Sequence, residues 1–474
     1  MKSVALHNLG CKVNSYELDV MQQYLQNKGY KIVNFNQKAD IYIINTCTVT
    51  NIADRKSRQM LHRAKKQNPD AIVVAVGCYV QTNEAEIEKD DCIDLAIGKN
   101  RKNELVEIIE AYLDKRQSQT PDEQTAASSG KMSGVAPDKT LGHTSVIDIN
   151  AEKEYEEMQL VHTAEHTRAY IKIQDGCNQF CSYCVIPYAR GRVRSRKPEQ
   201  VEEEVRRLAE AGYHEIVLTG IHLSSYGLDF HGESYNTAGG QGNEQELLRL
   251  IERIHAVDGI TRIRLGSLEP RVITEAFAGA LAALPKVCPH FHLSLQSGCD
   301  GVLKRMNRRY TTEEFARSVE ILRRVYEHPA ITTDVITGFP GETEEEFAQT
   351  VSYLEKIRFF EMHVFPYSRR EGTVAADMPG QLTEKEKKQR SSVLLAMTAR
   401  HSKEYREYYI GKEQEVLFEQ CHEIEGRQYL IGHTRNYVRV AVPVEGIDPA
   451  EMTNQERICC LTGFADDETL LGTY

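Results

Sequence analysis

The stretch Ala169–Cys184, AYIKIQDGCNQFCSYC, decides the fold. It reads as a β-strand that breaks at Gly176 and runs into three cysteines spaced C-x3-C-x2-C. Cys177, Cys181 and Cys184 fall within one tight loop, so their thiolates can hold neighbouring corners of one iron–sulfur cluster. A zinc site usually takes four ligands, commonly as two C-x2-C pairs or with histidine completing the set. No fourth cysteine or histidine follows at ligand spacing, and a zinc knuckle with a distant fourth ligand is the competing reading. A 4Fe–4S cluster on three thiolates keeps one iron open for a substrate or cofactor.

Downstream, strand and helix patterns alternate. The run Pro198–Ala211 places Val201, Val205, Leu208 and Ala209 on one helical face, with Pro198 in the first turn and Gly212 at the end. Strands HEIVLTG, TRIRLGSLE, HFHLSLQSG, ITTDVITGFPG and EMHVFPYS follow, separated by helical segments. Counting the strand before Cys177, six parallel strands with connecting helices predict a partial (β/α)6 barrel. Sites in such barrels lie at the carboxyl ends of the strands. There stand the cysteine loop, Gly220, Glu269, Gln296-Ser297-Gly298 and Gly338-Phe339-Pro340-Gly341. Each glycine-rich turn alone is ordinary loop chemistry; together they outline a cofactor pocket.

Upstream, SVALHNLGC, DIYIINTC and AIVVAVGC are each a short apolar run ending in a cysteine, with helical patterns between them. This alternation predicts βαβ units and a parallel sheet, whose ligand site lies beyond the carboxyl ends of the strands. Cys11, Cys47 and Cys78 then emerge on one rim, although 36 and 31 residues separate them. A lone cysteine is most often a small buried hydrophobe; three at equivalent strand ends point to metal ligation. Cys92 has no such placement and reads as structural.

Between these regions the periodicity disappears. QSQTPDEQTAASSGKMSGVAPDKT has almost no large apolar residues, and 114–160 reads as a flexible linker. After Gly411 the runs EQEVLFEQ, QYLIGHT, YVRVAVP and RICCLTGF predict a small antiparallel β-barrel. Cys459 and Cys460 point to opposite faces of one strand and read as structural. Arg427, His433, Arg435, Tyr437 and Arg439 mix cations with aromatics, as nucleic-acid surfaces do.

The chain of 474 residues carries 69 acidic and 58 basic side chains, net −11, which argues against a general polyanion binder. Basic residues nevertheless cluster at Arg190–Lys197, at Lys304, Arg305, Arg308 and Arg309, and at Arg55, Lys56, Arg58, Arg63, Lys65 and Lys66. The first two runs follow the expected active rim, where an RNA backbone would pass. No apolar run approaches the ~20 residues of a membrane span. The N-terminus is too short and polar for a signal peptide. Twelve cysteines without export fit a reducing cytoplasm and metal or redox chemistry.

The C-x3-C-x2-C loop on six strands resembles the radical S-adenosylmethionine superfamily. The whole chain resembles its methylthiotransferase branch, which joins an N-terminal three-cysteine domain, a radical core and a C-terminal TRAM RNA-binding domain. NLGCKVNSYE, DGCNQFCSYCVIPYARGRVRSR, LTGIHLSSYG, LSLQSGCDGVLKRMNRRYT and DVITGFPGET are most similar to the members acting on threonylcarbamoyladenosine (t6A) in tRNA. The resemblance implies α/β architecture with 1–113 as the cluster-bearing N-terminal domain, 114–160 the linker, 161–400 the radical core and 401–474 the TRAM domain. It implies two 4Fe–4S clusters, one on Cys177, Cys181 and Cys184, and an auxiliary one on Cys11, Cys47 and Cys78 that offers sulfur. S-adenosylmethionine would be consumed twice per turnover, once to make a 5′-deoxyadenosyl radical and once to methylate sulfur. Tyr183 would lie beside its adenine, Gly220 near its amino group, and Glu269, Gln296, Asp334 and Gly338 around it. The implied product is the 2-methylthio derivative of t6A at position 37 of tRNA, and the implied electron donor is of flavodoxin or ferredoxin type. Within the same mechanism the substrate could be N6-isopentenyladenosine or an aspartate of a ribosomal protein. A noncatalytic electron carrier or RNA-binding module is the reading from a different class.

Overall fold

The computed structural model describes residues 1–118, 144–160, 167–231, 243–446 and 448–474. They divide into two compact units. The first comprises 1–162, 175–178 and 184–196. Its sheet is all parallel, in the order Lys31–Val33, Ser3–Asn8, Ile41–Thr46, Ile72–Gly77, Leu95–Ile97, Thr144–Ser145. Every residue of Ile41–Thr46 and Ile72–Gly77 is buried, as expected of central strands covered on both faces. Helix Lys12–Asn27 buries Val13, Tyr16, Val20, Met21 and Leu25. Helix Asn51–Gln67 is capped by the Thr50 side chain, which accepts from the Ala53 amide.

The expected linker differs at both ends. Helix Leu105–Ser118 runs into its start, and Thr144–Ser145 pairs with Leu95–Ile97 as the sixth strand. Beyond it, Ile149, Met158 and Leu160 are buried, and the Tyr16 hydroxyl donates to the Met158 carbonyl at 2.5 Å. Residues 119–143 lie outside the described residues. The anchors are isolated apolar side chains and backbone carbonyls, which leave no periodicity in a sequence.

The second unit comprises 163–174, 179–183 and 197–474. Its six strands run parallel, as expected. Arg262–Leu265, Glu215–Gly220 and Arg168–Asp175 form one set; His290–His292, Ala330–Thr337 and Glu361–Pro366 form another. Single parallel bridges at Ile263–Val287 and Leu268–Leu293 join the sets. Their apolar faces meet Val201, Val205 and Leu208 of helix Pro198–Glu210 in a common core. Thr311, Thr343 and Thr383 each open a helix with a reciprocal capping box to Glu314, Glu346 and Glu386.

Five strands at the C-terminus (Glu413–Ile424, Arg427–Thr434, Arg439–Pro443, Glu456–Asp466, Thr469–Thr473) close into a barrel. The expected antiparallel pairing is corrected at one seam, where Arg439–Pro443 and Thr469–Thr473 run parallel. Closure brings together two strands that are not consecutive, so no hairpin fixes their relative direction. This barrel belongs to the same compact unit as the six strands. Among the described residues, no helix is long and apolar enough to cross a membrane.

Candidate metal centres and cofactor rim

In the first unit the three cysteines stand at the carboxyl ends of three adjacent strands. Thr46 pairs with Gly77, so Cys47 and Cys78 follow one register step later. Asn8 pairs with Asn45, and two further steps set Gly10 opposite Cys47. Gly10 has φ +110°, and a Cβ there would lie 2.9 Å from both Cβ and Sγ of Cys47. Only glycine lets the Cys11 turn pass the Cys47 thiol. Asn14 ties these ends together, its Nδ2 donating to the carbonyls of Leu9 at 2.7 Å and Thr46 at 3.1 Å. Asn45 in turn donates to the Asn14 carbonyl. Sequence reasoning missed both asparagines; for Asn45 a polar side chain near the end of an otherwise apolar strand is the available signal, and Asn14, within helix Lys12–Asn27, offers none.

The floor beside these thiols is ionic. Glu17 pairs with Lys99 at 2.8 Å, with Lys102, and with Arg190 at 3.1 Å, all four side chains being inaccessible to solvent. Arg190 also meets Asp175 at 2.9 Å and donates to Asn14 Oδ1 at 2.6 Å. Burial opposes ionisation of Cys78, but Arg190, Lys99 and Lys102 outweigh it and lower its pKa. Burial, and after it the neighbouring Cys78, push the Cys47 thiol up to about 11. The two neighbouring thiols are therefore shifted in opposite directions by their surroundings.

These contacts correct the reading of Arg190–Lys197 as an RNA-facing run. Arg190, Arg194 and Arg196 are buried, Arg196 beside Glu157 at 3.1 Å; Arg192 and Lys197 alone are exposed. Buried guanidinium groups persist only when paired and hydrogen-bonded, a condition that composition does not reveal. On helix Asn51–Gln67, by contrast, Arg55, Lys56, Arg58, Arg63 and Lys66 are exposed, and Lys65 pairs with Asp94. Cys92 adjoins Asp90, which accepts its amide at 3.0 Å and meets His62 Nε2 at 2.7 Å. An ion pair and an Asx turn account for that trio.

In the second unit Gly220 ends its strand and Gly338 follows directly on Ala330–Thr337, Glu269 and Gln296 lie a few residues beyond their strands, and Asp334 stands within Ala330–Thr337. Gly220 ends its strand against Gln174; a Cβ would come within 3.0 Å of Gln174 Oε1. That oxygen accepts the His222 amide at 2.8 Å. The Glu269 carboxylate lies 3.5 Å from His222 Nε2 and from Gln179 Nε2. Burial opposes its ionisation, but His222 and then Arg308 lower its pKa. Asp334 faces His292 at 3.2 Å and His363 at 3.7 Å; burial raises its pKa, but these histidines outweigh that and lower it. Gln296 holds a left-handed φ of +72° while its amide donates to the Asp334 carbonyl at 2.8 Å. The Tyr183 ring meets Phe339 edge-on at 6.4 Å. Gly338 has φ +68°, with Lys387 where a side chain would go.

The second basic run also divides. Lys304 and Arg309 are exposed, whereas Arg305 pairs with Glu346 at 2.6 Å and Arg308 turns inward. In the C-terminal barrel, Arg435 donates to the carbonyls of Pro285 and, at 3.4 Å, Val287. His433 bonds Glu419 at 2.6 Å. Tyr437 stacks on His290 and His433, with the guanidinium groups of Arg168 and Arg264 over its ring at 5.0 and 4.7 Å. Arg435 and Tyr437 therefore join the barrel to the six-stranded body while His433 is held by Glu419 and Tyr437, and the expectation that the three form an open RNA face is corrected. Arg427 stays exposed.

Six parallel strands with a C-x3-C-x2-C loop at the end of the first, and polar groups converging at the same rim, define the radical S-adenosylmethionine class. The family model described as the radical SAM superfamily matches residues 171–354, and that described as uncharacterized protein family UPF0004 matches residues 3–98. The chain is 40% identical over 442 residues to the threonylcarbamoyladenosine tRNA methylthiotransferase MtaB of Bacillus subtilis, covering 93% of this chain and 90% of the relative. Identity is 38% to the MtaB of Aquifex aeolicus, covering 92% and 96%. It is 35% to a tRNA-2-methylthio-N(6)-dimethylallyladenosine synthase of Pelotomaculum thermopropionicum, covering 88% and 87%. A solved radical S-adenosylmethionine methyltransferase, TsrM of Kitasatospora setae, shares the fold with a TM-score of 0.51 and 18% identity over 79% of this chain and 77% of that one. The chain belongs to the radical S-adenosylmethionine methylthiotransferase family.

Proposed function

We propose that this chain is a cytoplasmic tRNA methylthiotransferase that places a methylthio group on C2 of N6-threonylcarbamoyladenosine at position 37. The carrying observation is the pair of cysteine triads: one in a single loop, one assembled from three neighbouring strand ends in register. The donor sets fit 4Fe–4S clusters, since each offers three thiols and leaves one iron without a protein ligand. A cluster on Cys177, Cys181 and Cys184 supplies, when bound, the electron that opens radical chemistry on S-adenosylmethionine, and a second on Cys11, Cys47 and Cys78 supplies a site for sulfur.

The chain's own residues do the rest. Gly10 keeps the auxiliary rim clear, and the Arg190–Glu17–Lys99 floor holds the Cys78 thiol toward its anionic form. Tyr183 would lie beside the adenine of S-adenosylmethionine and Gly220 near its amino group, with Glu269, Gln296, Asp334 and Gly338 around it, the two carboxylates having their pKa lowered by neighbouring histidines. The exposed cations on helix Asn51–Gln67 and the C-terminal barrel, read as a TRAM module, contact tRNA phosphates. The electron comes from a donor of flavodoxin or ferredoxin type.

The threonylcarbamoyl substrate is favoured because the MtaB relatives stand at 40% and 38% identity, above the dimethylallyladenosine synthase at 35%. The test is nucleoside analysis of tRNA from a strain lacking the gene. Loss of the methylthio group from t6A, restored by the gene and not by its Cys47→Ala form, is the expected result. Loss from isopentenyladenosine instead would overturn the substrate, and an unchanged nucleoside profile would overturn the activity.

A further inference from the structure

Arg308 follows the fourth strand in the run LKRMNRRYT, where its neighbours Lys304 and Arg309 face solvent. Its own side chain turns the other way. Nη1 lies 3.2 Å from Cys181 Sγ, Nε lies 2.9 Å from the Tyr310 hydroxyl, and Nη2 lies 3.3 Å from the Ser294 carbonyl. The guanidinium also sits 4.8 Å from the centre of the Tyr310 ring. Tyr310 is itself fixed, its hydroxyl donating to the Leu295 carbonyl at 2.8 Å. The backbone supports the placement: Asn307 takes a left-handed φ of +59°, and the Arg308 amide donates to the Leu303 carbonyl at 2.9 Å. Three nitrogens of one planar group thus reach three acceptors, a fork that lysine cannot reproduce. The cation acts electrostatically on Cys181, Tyr183, Glu269 and Asp334, four residues of the cofactor rim.

From this geometry we infer that Arg308 is a positioning residue of the radical cluster, donating a hydrogen bond to the Cys181 thiolate and raising the cluster's reduction potential. The inference rests on the assignment of Cys177, Cys181 and Cys184 made above. Hydrogen bonds to ligand sulfurs are among the factors that set iron–sulfur potentials. A fixed cation beside the sulfur also favours the form carrying the extra electron, more strongly in a low-dielectric site than in water. Arg308 therefore eases the one-electron reduction from which the reaction starts and does not serve as a phosphate contact.

The experiment is a potentiometric titration of the full-length reconstituted protein, followed by electron paramagnetic resonance, on wild type, Arg308→Met and Arg308→Lys. The radical cluster is identified by the signal that changes when S-adenosylmethionine is added. In Arg308→Met the reduced-to-oxidised ratio at the wild-type midpoint falls about tenfold, equivalent to 59 mV for one electron. Arg308→Lys shifts in the same direction by less, and the auxiliary signal keeps its midpoint. A wild-type midpoint in an iron-replete Arg308→Met protein overturns the inference, as does a normal potential accompanied by weakened tRNA binding. If Arg308→Met fails to load this cluster, Arg308→Lys decides: a lowered midpoint supports the inference and an unshifted one overturns it. A wild-type protein with no signal responsive to S-adenosylmethionine overturns the cluster assignment itself, and the inference with it.

Discussion

Substituting Gly10 by alanine should empty the auxiliary centre and spare the radical one. Two costs meet at this position. The backbone lies at φ +110°, a region that non-glycine residues occupy at about 1–3 kcal/mol. The new Cβ would stand 2.9 Å from Cys47 Cβ and Sγ and 3.1 Å from Asn14 Nδ2, and relieving such overpacking costs about 1–3 kcal/mol more. Cys47 is buried and Asn14 is held by the Leu9 and Thr46 carbonyls, so neither yields without moving a strand end that bears a ligand. Together the variant loses about 2–6 kcal/mol, concentrated at the thiols. Gly29 provides the control: φ is +85° but nothing lies within 4 Å of its would-be Cβ, so Gly29→Ala bears the backbone cost alone. The assay is iron content after anaerobic reconstitution, beside the thermal midpoint. Wild type and Gly29→Ala should each hold about eight irons and Gly10→Ala about four. Full iron loading in Gly10→Ala, or equal loss in both variants, would refute the claim that closeness to Cys47 fixes this glycine.

Cys47→Ala should still cleave S-adenosylmethionine with dithionite, releasing methionine and 5′-deoxyadenosine, yet add no methylthio group; tRNA product analysis checks this. Glu215 is inaccessible, and although burial opposes its ionisation, Arg264 and Arg168 hold its pKa down to about 2 from 4.5. A depressed carboxylate stabilises the fold above its unfolded pKa. Glu215→Gln should therefore cost about 3 kcal/mol at pH 7, at 1.36 kcal/mol per pH unit, and lose its deficit relative to wild type as pH falls from about 5 toward 2. Urea unfolding across that range measures it, and parallel pH profiles would contradict it. Arg435→Ala should lower the thermal midpoint by removing bonds to the Pro285 and Val287 carbonyls, about 1–3 kcal/mol, while the salt dependence of tRNA binding stays at the wild-type slope. A slope reduced by about one would return Arg435 to a phosphate contact.

The sequence by itself determined the parallel strands and the strand ends at which Cys11, Cys47 and Cys78 stand. Local rules suffice there: a β-branched run stopped by glycine or cysteine is a strand end, and alternation with helices makes neighbouring strands parallel. Cys11, Cys47 and Cys78 could be placed on one rim because equivalent ends of a parallel sheet share a rim whatever the sequence separation.

Only the tertiary structure decided what each charged side chain does. Arg190, Arg308 and Arg435 look alike in the sequence, each an arginine in a basic or mixed-charge stretch near an expected site. In the fold one pairs with Glu17 and Asp175, one donates to Cys181, and one fastens the C-terminal barrel through backbone carbonyls. The partners lie more than a hundred residues away in most cases, and two of them are carbonyls, which every residue possesses. A guanidinium's role is set by which acceptors surround it and how much water they exclude, and that information is three-dimensional.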